Sequence, residues 1–175
     1  MSTPRKLPEL NAATREEFVS TVGPVFEHSP WIAERTWTRR PFPTVTALHE
    51  ALVATVRAAS ADEQLGLIRA HPDLVGRMAR DPSIGGVSAR EQASAGLDAL
   101  SPSEADAFLS FNKAYRQRFG FPFVICAREN RKDAILRAFP ERLAHSPEQE
   151  VSTALSEIAR IAWLRLQDLV TEEPA

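Results

Sequence analysis

Cysteine is nearly absent from this sequence: among 175 residues only Cys126 carries a thiol. That excludes an intramolecular disulfide framework and fits a reducing compartment. Histidine is scarce as well. His28, His49, His71 and His145 are scattered, with no H-E-x-x-H and no paired spacing that would set two ligands on one face, so no metal site is expected. Long apolar runs are missing. No stretch reaches bilayer length, and the opening MSTPRKLPELNAATREEF holds no apolar signal core, so neither a membrane span nor a secretory leader is expected. No sign of charge dominates either: 21 Lys plus Arg stand against 23 Asp plus Glu, for a formal net charge of -2. Without a basic block interleaved with aromatics, nucleic acid is not an expected partner. The single glycine pair, Gly85-Gly86, lacks a following Lys-Ser/Thr and reads as a loop rather than a phosphate cradle. The closing TEEPA is not a peroxisomal address. A cytoplasmic protein is expected.

The residues that are present have ordinary globular proportions, 43% hydrophobic and 25% charged, so disorder is expected only at short flexible ends. The length suits one domain over residues 1–175, with a single core. The pattern is all-α: a bundle of about eight helices. Most of the 13 prolines fall between helical patterns, where they punctuate. The stretch NAATREEFVSTVGPVF follows a proline-bearing leader and reads as a helix capped by Asn11 or Thr14. HSPWIAERTWTRRPF reads as a short helix opened by Ser29 and Pro30. TVTALHEALVATVRAA and SADEQLGLIRA are two more, the second with a Ser60-x-x-Glu63 capping box. ARDPSIGGVS reads as a loop. Helices follow in SAREQASAGLDAL, SPSEADAFLSFNKAYRQRF, RKDAILRAFPERLA and SPEQEVSTALSEIARIAWLRLQDLV. Only GFPFVICA is strand-like. With no second strand to pair with, it is expected to be an extended connector, and Cys126 within it a buried, inert thiol.

Three features point to chemistry. In IRAHPDLVGRM, Pro72 pushes His71 out of the α region, so the imidazole stands at a helix boundary and is aimed by the backbone. Ser88, Glu91 and Gln92 share one helix face at i, i+3, i+4 and offer a hydroxyl, a carboxylate and an amide to a small polar ligand. Ser88 and Glu91 also fit a capping box, and local sequence leaves both readings open. Arg165 falls inside the apolar arc of Leu155, Ile158, Ile161, Ala162, Leu166 and Leu169, whereas Arg160 falls outside it. A core-facing guanidinium needs an acidic partner or a polar cavity, because it does not escape burial by losing its proton. A helical binding protein would need neither an aimed histidine nor a buried arginine, and a cofactor-free hydrolase would use a similar constellation.

The order and spacing of FEHSPWIAERTW, IRAHPDLVGRMA, SAREQASAGLDALS, FNKAYRQRFGFPFVICAR and EIARIAWLRLQDLV resemble the 2-oxo-4-hydroxy-4-carboxy-5-ureidoimidazoline (OHCU) decarboxylases of purine breakdown, over nearly the whole chain. The resemblance implies an all-helical fold, a homodimer, and decarboxylation of OHCU to (S)-allantoin with neither metal nor organic cofactor. It implies His71, Glu91 and Arg165 as catalytic residues. It also implies substrate contacts from Pro72, Ser88, Gln92, Phe123, Val124 and Ile125, the last three through backbone N–H groups of the F-P-F-V-I run. The transthyretin-like domain fused to some relatives does not occur in this sequence, so 5-hydroxyisourate hydrolysis is expected of a separate protein. Arg165 is expected to share one cavity with His71 and Glu91.

Overall fold

The computed structural model describes residues 4–76 and 86–172. Most of the expected 79–88 loop, including Gly85, and the extreme ends lie outside the described residues. Nine α-helices occur among the described residues, and the all-α expectation holds. No described helix is long and apolar enough to cross a membrane. The chain divides into two compact units, residues 1–70 with 159–175 and residues 71–158.

The first unit contains α1 (Leu7–Ala12), α2 (Arg15–Val22), α3 (Trp31–Thr36), α4 (Val45–Arg57) and α5 (Ala61–Ala70). Of the two cap candidates Thr14 starts the expected helix, which ends at Val22, and α1 lies in the proline-bearing leader where no helix was expected, with Ala13 extended between the two. Thr14 is the cap: it accepts from the Glu17 N–H, and Glu17 answers with a bond to the Thr14 N–H. Asn11 serves elsewhere, donating to the Phe42 carbonyl and accepting from the Phe42 N–H, both at 2.9 Å. In α3 the cap position is Pro30, while Ser29 donates to the Glu27 carbonyl. Arg5–Lys6 (β1) pairs in parallel with Val170–Thr171 (β2). Sequence reasoning missed this two-residue ladder, because strands this short carry no periodicity and their pairing is far from local. Leu10, Phe18, Val22, Ile32, Leu48, Leu52, Ala162 and Leu166 are among its buried side chains.

The second unit contains α6 (Gly86–Ser94), α7 (Pro102–Phe119), α8 (Lys132–Leu143) and the N-terminal part of α9 (Pro147–Leu169), whose later turns belong to the first unit. Ser101 and Glu104 form a capping box with Pro102 in the first turn of α7. Gly120 closes that helix with φ of +75°, where a side chain would be strained. Buried aromatics dominate: Phe123 stacks on Phe139 at 3.9 Å between centroids, and Tyr115 meets Phe123 edge-on at 5.2 Å. Residues 122–126 form no helix and join no ladder, and Cys126 is extended before the turn that starts at Ala127.

Candidate functional site

Helix α5 ends at Ala70, and His71 is the next residue, buried, with Pro72 after it. The boundary anticipated from the His-Pro step is therefore present. Three side chains hold the segment that follows. Gln92 accepts from the Val75 N–H at 3.1 Å through its amide oxygen and donates to the Asp73 carbonyl at 3.4 Å. Asn112 donates to the Leu74 carbonyl at 2.7 Å. Arg116 Nε donates to both Asp73 oxygens at 2.9 and 3.1 Å. Val75 has φ of +57°, a left-handed conformation costly for a β-branched residue and maintained only where the surroundings impose it.

Helix α6 starts at Gly86, whose φ of +49° suits glycine. Ser88 thus lies inside the first turn, past the position a capping residue occupies, and the capping reading of Ser88 and Glu91 does not fit. Ser88 and Gln92 are buried, and Glu91 is partly exposed. The C-terminal end of α6 accepts the Lys132 N–H at the Ala95 carbonyl, 2.9 Å, and α6 packs against the turn Ala127–Glu129 that follows the connector. Burial pushes the Cys126 thiol up to about 11, and the carboxylates of Glu129, Glu157 and Glu91 add to the rise. The Glu157 carboxylate also accepts the Cys126 N–H at 2.8 Å. Cys126 is therefore inert, as expected. The second unit gathers His71, Pro72, Ser88, Glu91, Gln92, Phe123, Val124 and Ile125, with Gln92 bonded to the histidine-bearing segment.

Arg165 belongs to the first unit, on α9, and is buried. Nη2 donates to Glu27 at 2.8 Å and Nη1 to the Val25 carbonyl at 3.3 Å. The acidic partner that its place on an apolar arc demanded is Glu27, a residue that sequence reasoning missed. Arg160 is exposed.

The connector has its own support, also missed. Arg142 lies over the Phe123 ring at 4.1 Å, donates from Nη1 to the Val124 carbonyl at 2.6 Å, and from Nε to Glu150 at 2.6 Å. Glu150 is fully buried and also accepts from Tyr115 Oη at 2.5 Å, with His145 Nδ1 at 2.8 Å. Burial, then the bond to Glu150, pushes the Tyr115 phenol up, so it acts as a donor. A signal existed: Ile135, Phe139 and Arg142 share a helix face, and the reasoning that flagged Arg165 applies equally to Arg142. A cavity of about 540 Å³ bordered by His49, Val53, Arg57 and Ala159 lies in the first unit and contains none of the anticipated residues.

Comparison with known proteins agrees with this architecture. Among solved structures, a crystal structure of (S)-allantoin synthase superposes with a TM-score of 0.75 at 32% identity, covering 93% of this chain and 53% of the other, so the chain spans about half its length. A crystal structure of OHCU decarboxylase in the presence of (S)-allantoin, at 24% identity and a TM-score of 0.67, shares the fold. The 2-oxo-4-hydroxy-4-carboxy-5-ureidoimidazoline decarboxylase of Halalkalicoccus jeotgali is 44% identical, covering 92% of this chain and 89% of the relative. That of Haloferax volcanii is 43% identical, covering 95% and 97%. The OHCU decarboxylase family profile matches residues 11–167, and the chain belongs to that family.

Proposed function

We infer that the protein is a carboxy-lyase that converts 2-oxo-4-hydroxy-4-carboxy-5-ureidoimidazoline to (S)-allantoin in urate degradation. The observation that carries this reading is the family match across residues 11–167. Loss of CO2 breaks the bond to the carboxyl carbon and leaves its electron pair on the ring carbon. That pair delocalises toward the neighbouring carbonyl or imine, so donors placed where the charge develops lower the barrier. A proton delivered to one face of the carbon then fixes the S configuration.

Arg165, a fork of fixed charge held by Glu27, is assigned to the developing negative charge. His71 is assigned to proton transfer. Glu91, acceptor-only when ionised, suits the ureido N–H groups, and Ser88 adds a hydroxyl. Gln92 uses one lone pair and one N–H on the 73–75 segment, and the second of each is assigned to substrate. Pro72 shapes the pocket, and Phe123, Val124 and Ile125 contribute apolar contact and backbone N–H groups. The active form is assigned as a cytoplasmic homodimer, which light scattering coupled to gel filtration tests.

The decisive experiment generates the unstable substrate in situ from urate and follows allantoin by circular dichroism. Spontaneous decarboxylation passes through a carbon open on both faces and gives no optical activity. Accelerated appearance of the S signal with stoichiometric CO2 is expected. A racemic product at the spontaneous rate, or ammonia released instead of CO2, would overturn the reading.

A further inference from the structure

The Arg142 cluster lies outside the residues assigned to the reaction, yet it grips one of them through the backbone. Nη1 donates to the Val124 carbonyl at 2.6 Å, and the guanidinium plane lies 4.1 Å from the Phe123 centroid. Glu150, fully buried, holds the other side of the fork through Nε. The Val124 carbonyl and the Ile125 N–H belong to one peptide group. In a trans peptide these two bonds point in opposite directions. Arg142 on the carbonyl therefore turns the Ile125 N–H away from itself, and a cation on the oxygen draws electrons from the amide and strengthens that N–H as a donor. Among the described residues, the backbone bonds outside the helices do not include one from the Ile125 N–H, and Ile125 is only partly buried.

We propose that Arg142 is a positioning residue for the reaction, fixing and polarising the Val124–Ile125 peptide so that the Ile125 N–H donates to negative charge developing on the substrate. The proposal rests on the decarboxylase reading, which supplies the anionic intermediate. Glu150 occupies one side of the guanidinium, and the Nη1 arm reaches a carbonyl whose own peptide carries a proposed substrate contact.

Arg142→Lys keeps the charge opposite Glu150 but has no planar fork to serve Val124 and stack on Phe123 at once. The expected result is a fall in kcat of about tenfold, with KM changed less than about twofold, because a donor aimed at developing charge acts in the transition state. The amide resonance of Ile125 should move in the variant while those of the helices stay as before. In the unaltered protein, (S)-allantoin added as a probe should slow exchange at Ile125 and shift its amide resonance. Wild-type kcat in a folded Arg142→Lys variant overturns the proposal. So does an Ile125 amide unmoved by (S)-allantoin, a measurement that holds even where the variant fails to fold. Failure of the unaltered protein to speed the S signal and CO2 release above the spontaneous rate is a separate outcome that removes the decarboxylase reading itself.

Discussion

At the scale of single residues, position decides which substitutions spare the fold. His71 follows the last residue of α5 and belongs to no packing stripe. His71→Asn should keep its thermal midpoint while turnover falls by about 10² to 10⁴, the usual worth of general acid–base catalysis; unchanged turnover would remove His71 from the mechanism. Glu91 is not half of a capping box, since α6 begins at Gly86. Glu91→Gln should therefore depress activity with little change in melting, and a less stable but fully active variant would contradict that assignment. Arg165→Lys cannot serve both Glu27 and the Val25 carbonyl as the fork does. Its activity should drop well before stability, whereas Arg160→Lys, at an exposed site, should alter neither in side-by-side assays. Arg165 was legible because a charge interrupts an apolar arc. Its partner Glu27 was not, since nothing local marks which of 23 acidic residues will meet it.

At the scale of elements, punctuation was the readable part. Thr14, Ser60 and Ser101 all cap as side chain and Glu three residues later require. The Ser60 box starts α5, the helix that ends one residue before His71, and it is reinforced by a second partner. Arg35 donates to Glu63 at 2.5 Å, and this bond, ahead of the Ser60 N–H, holds the Glu63 carboxyl at about 2 against an ordinary 4.5. A carboxyl depressed on folding stabilises above its unfolded value and loses that contribution as pH falls through its folded value. The gap in melting temperature between the parent and Glu63→Gln should thus be widest above about pH 5 and close toward about pH 2. A gap independent of pH would show that Glu63 acts by shape alone. Helix α1 was not legible, because six residues beside prolines are less than two turns and too short to establish an apolar period. Neither was the β1–β2 ladder, which joins the two ends of the chain.

At the scale of the whole molecule, composition and periodicity were enough for the all-α class, yet they carried no sign of two compact units. The division at residues 70/71 coincides with the end of α5, whereas α9 passes through that at 158/159 without a break. Ala154 and Ile158 are buried on one side of that boundary, and Ala162 and Leu166 on the other. Because helix formation is cooperative along its length, α9 should join the two units in one unfolding event. Scanning calorimetry should give a single transition with equal calorimetric and van't Hoff enthalpies; two resolved transitions would show that the units melt separately.

Cys126, the lone thiol, sits one residue beyond Ile125 and is pushed up to about 11 by burial and its acidic neighbours. At pH 8 only about one molecule in a thousand carries the reactive thiolate, and the sulfur is shielded as well. Alkylation therefore waits for the connector to open, and its rate is a clock for that opening. The protein carries a built-in chemical probe, readable by mass in an unmodified chain, of how firmly the peptide beside it is held. Ligands that seat on the connector should slow the clock, and substitutions that loosen it should speed it.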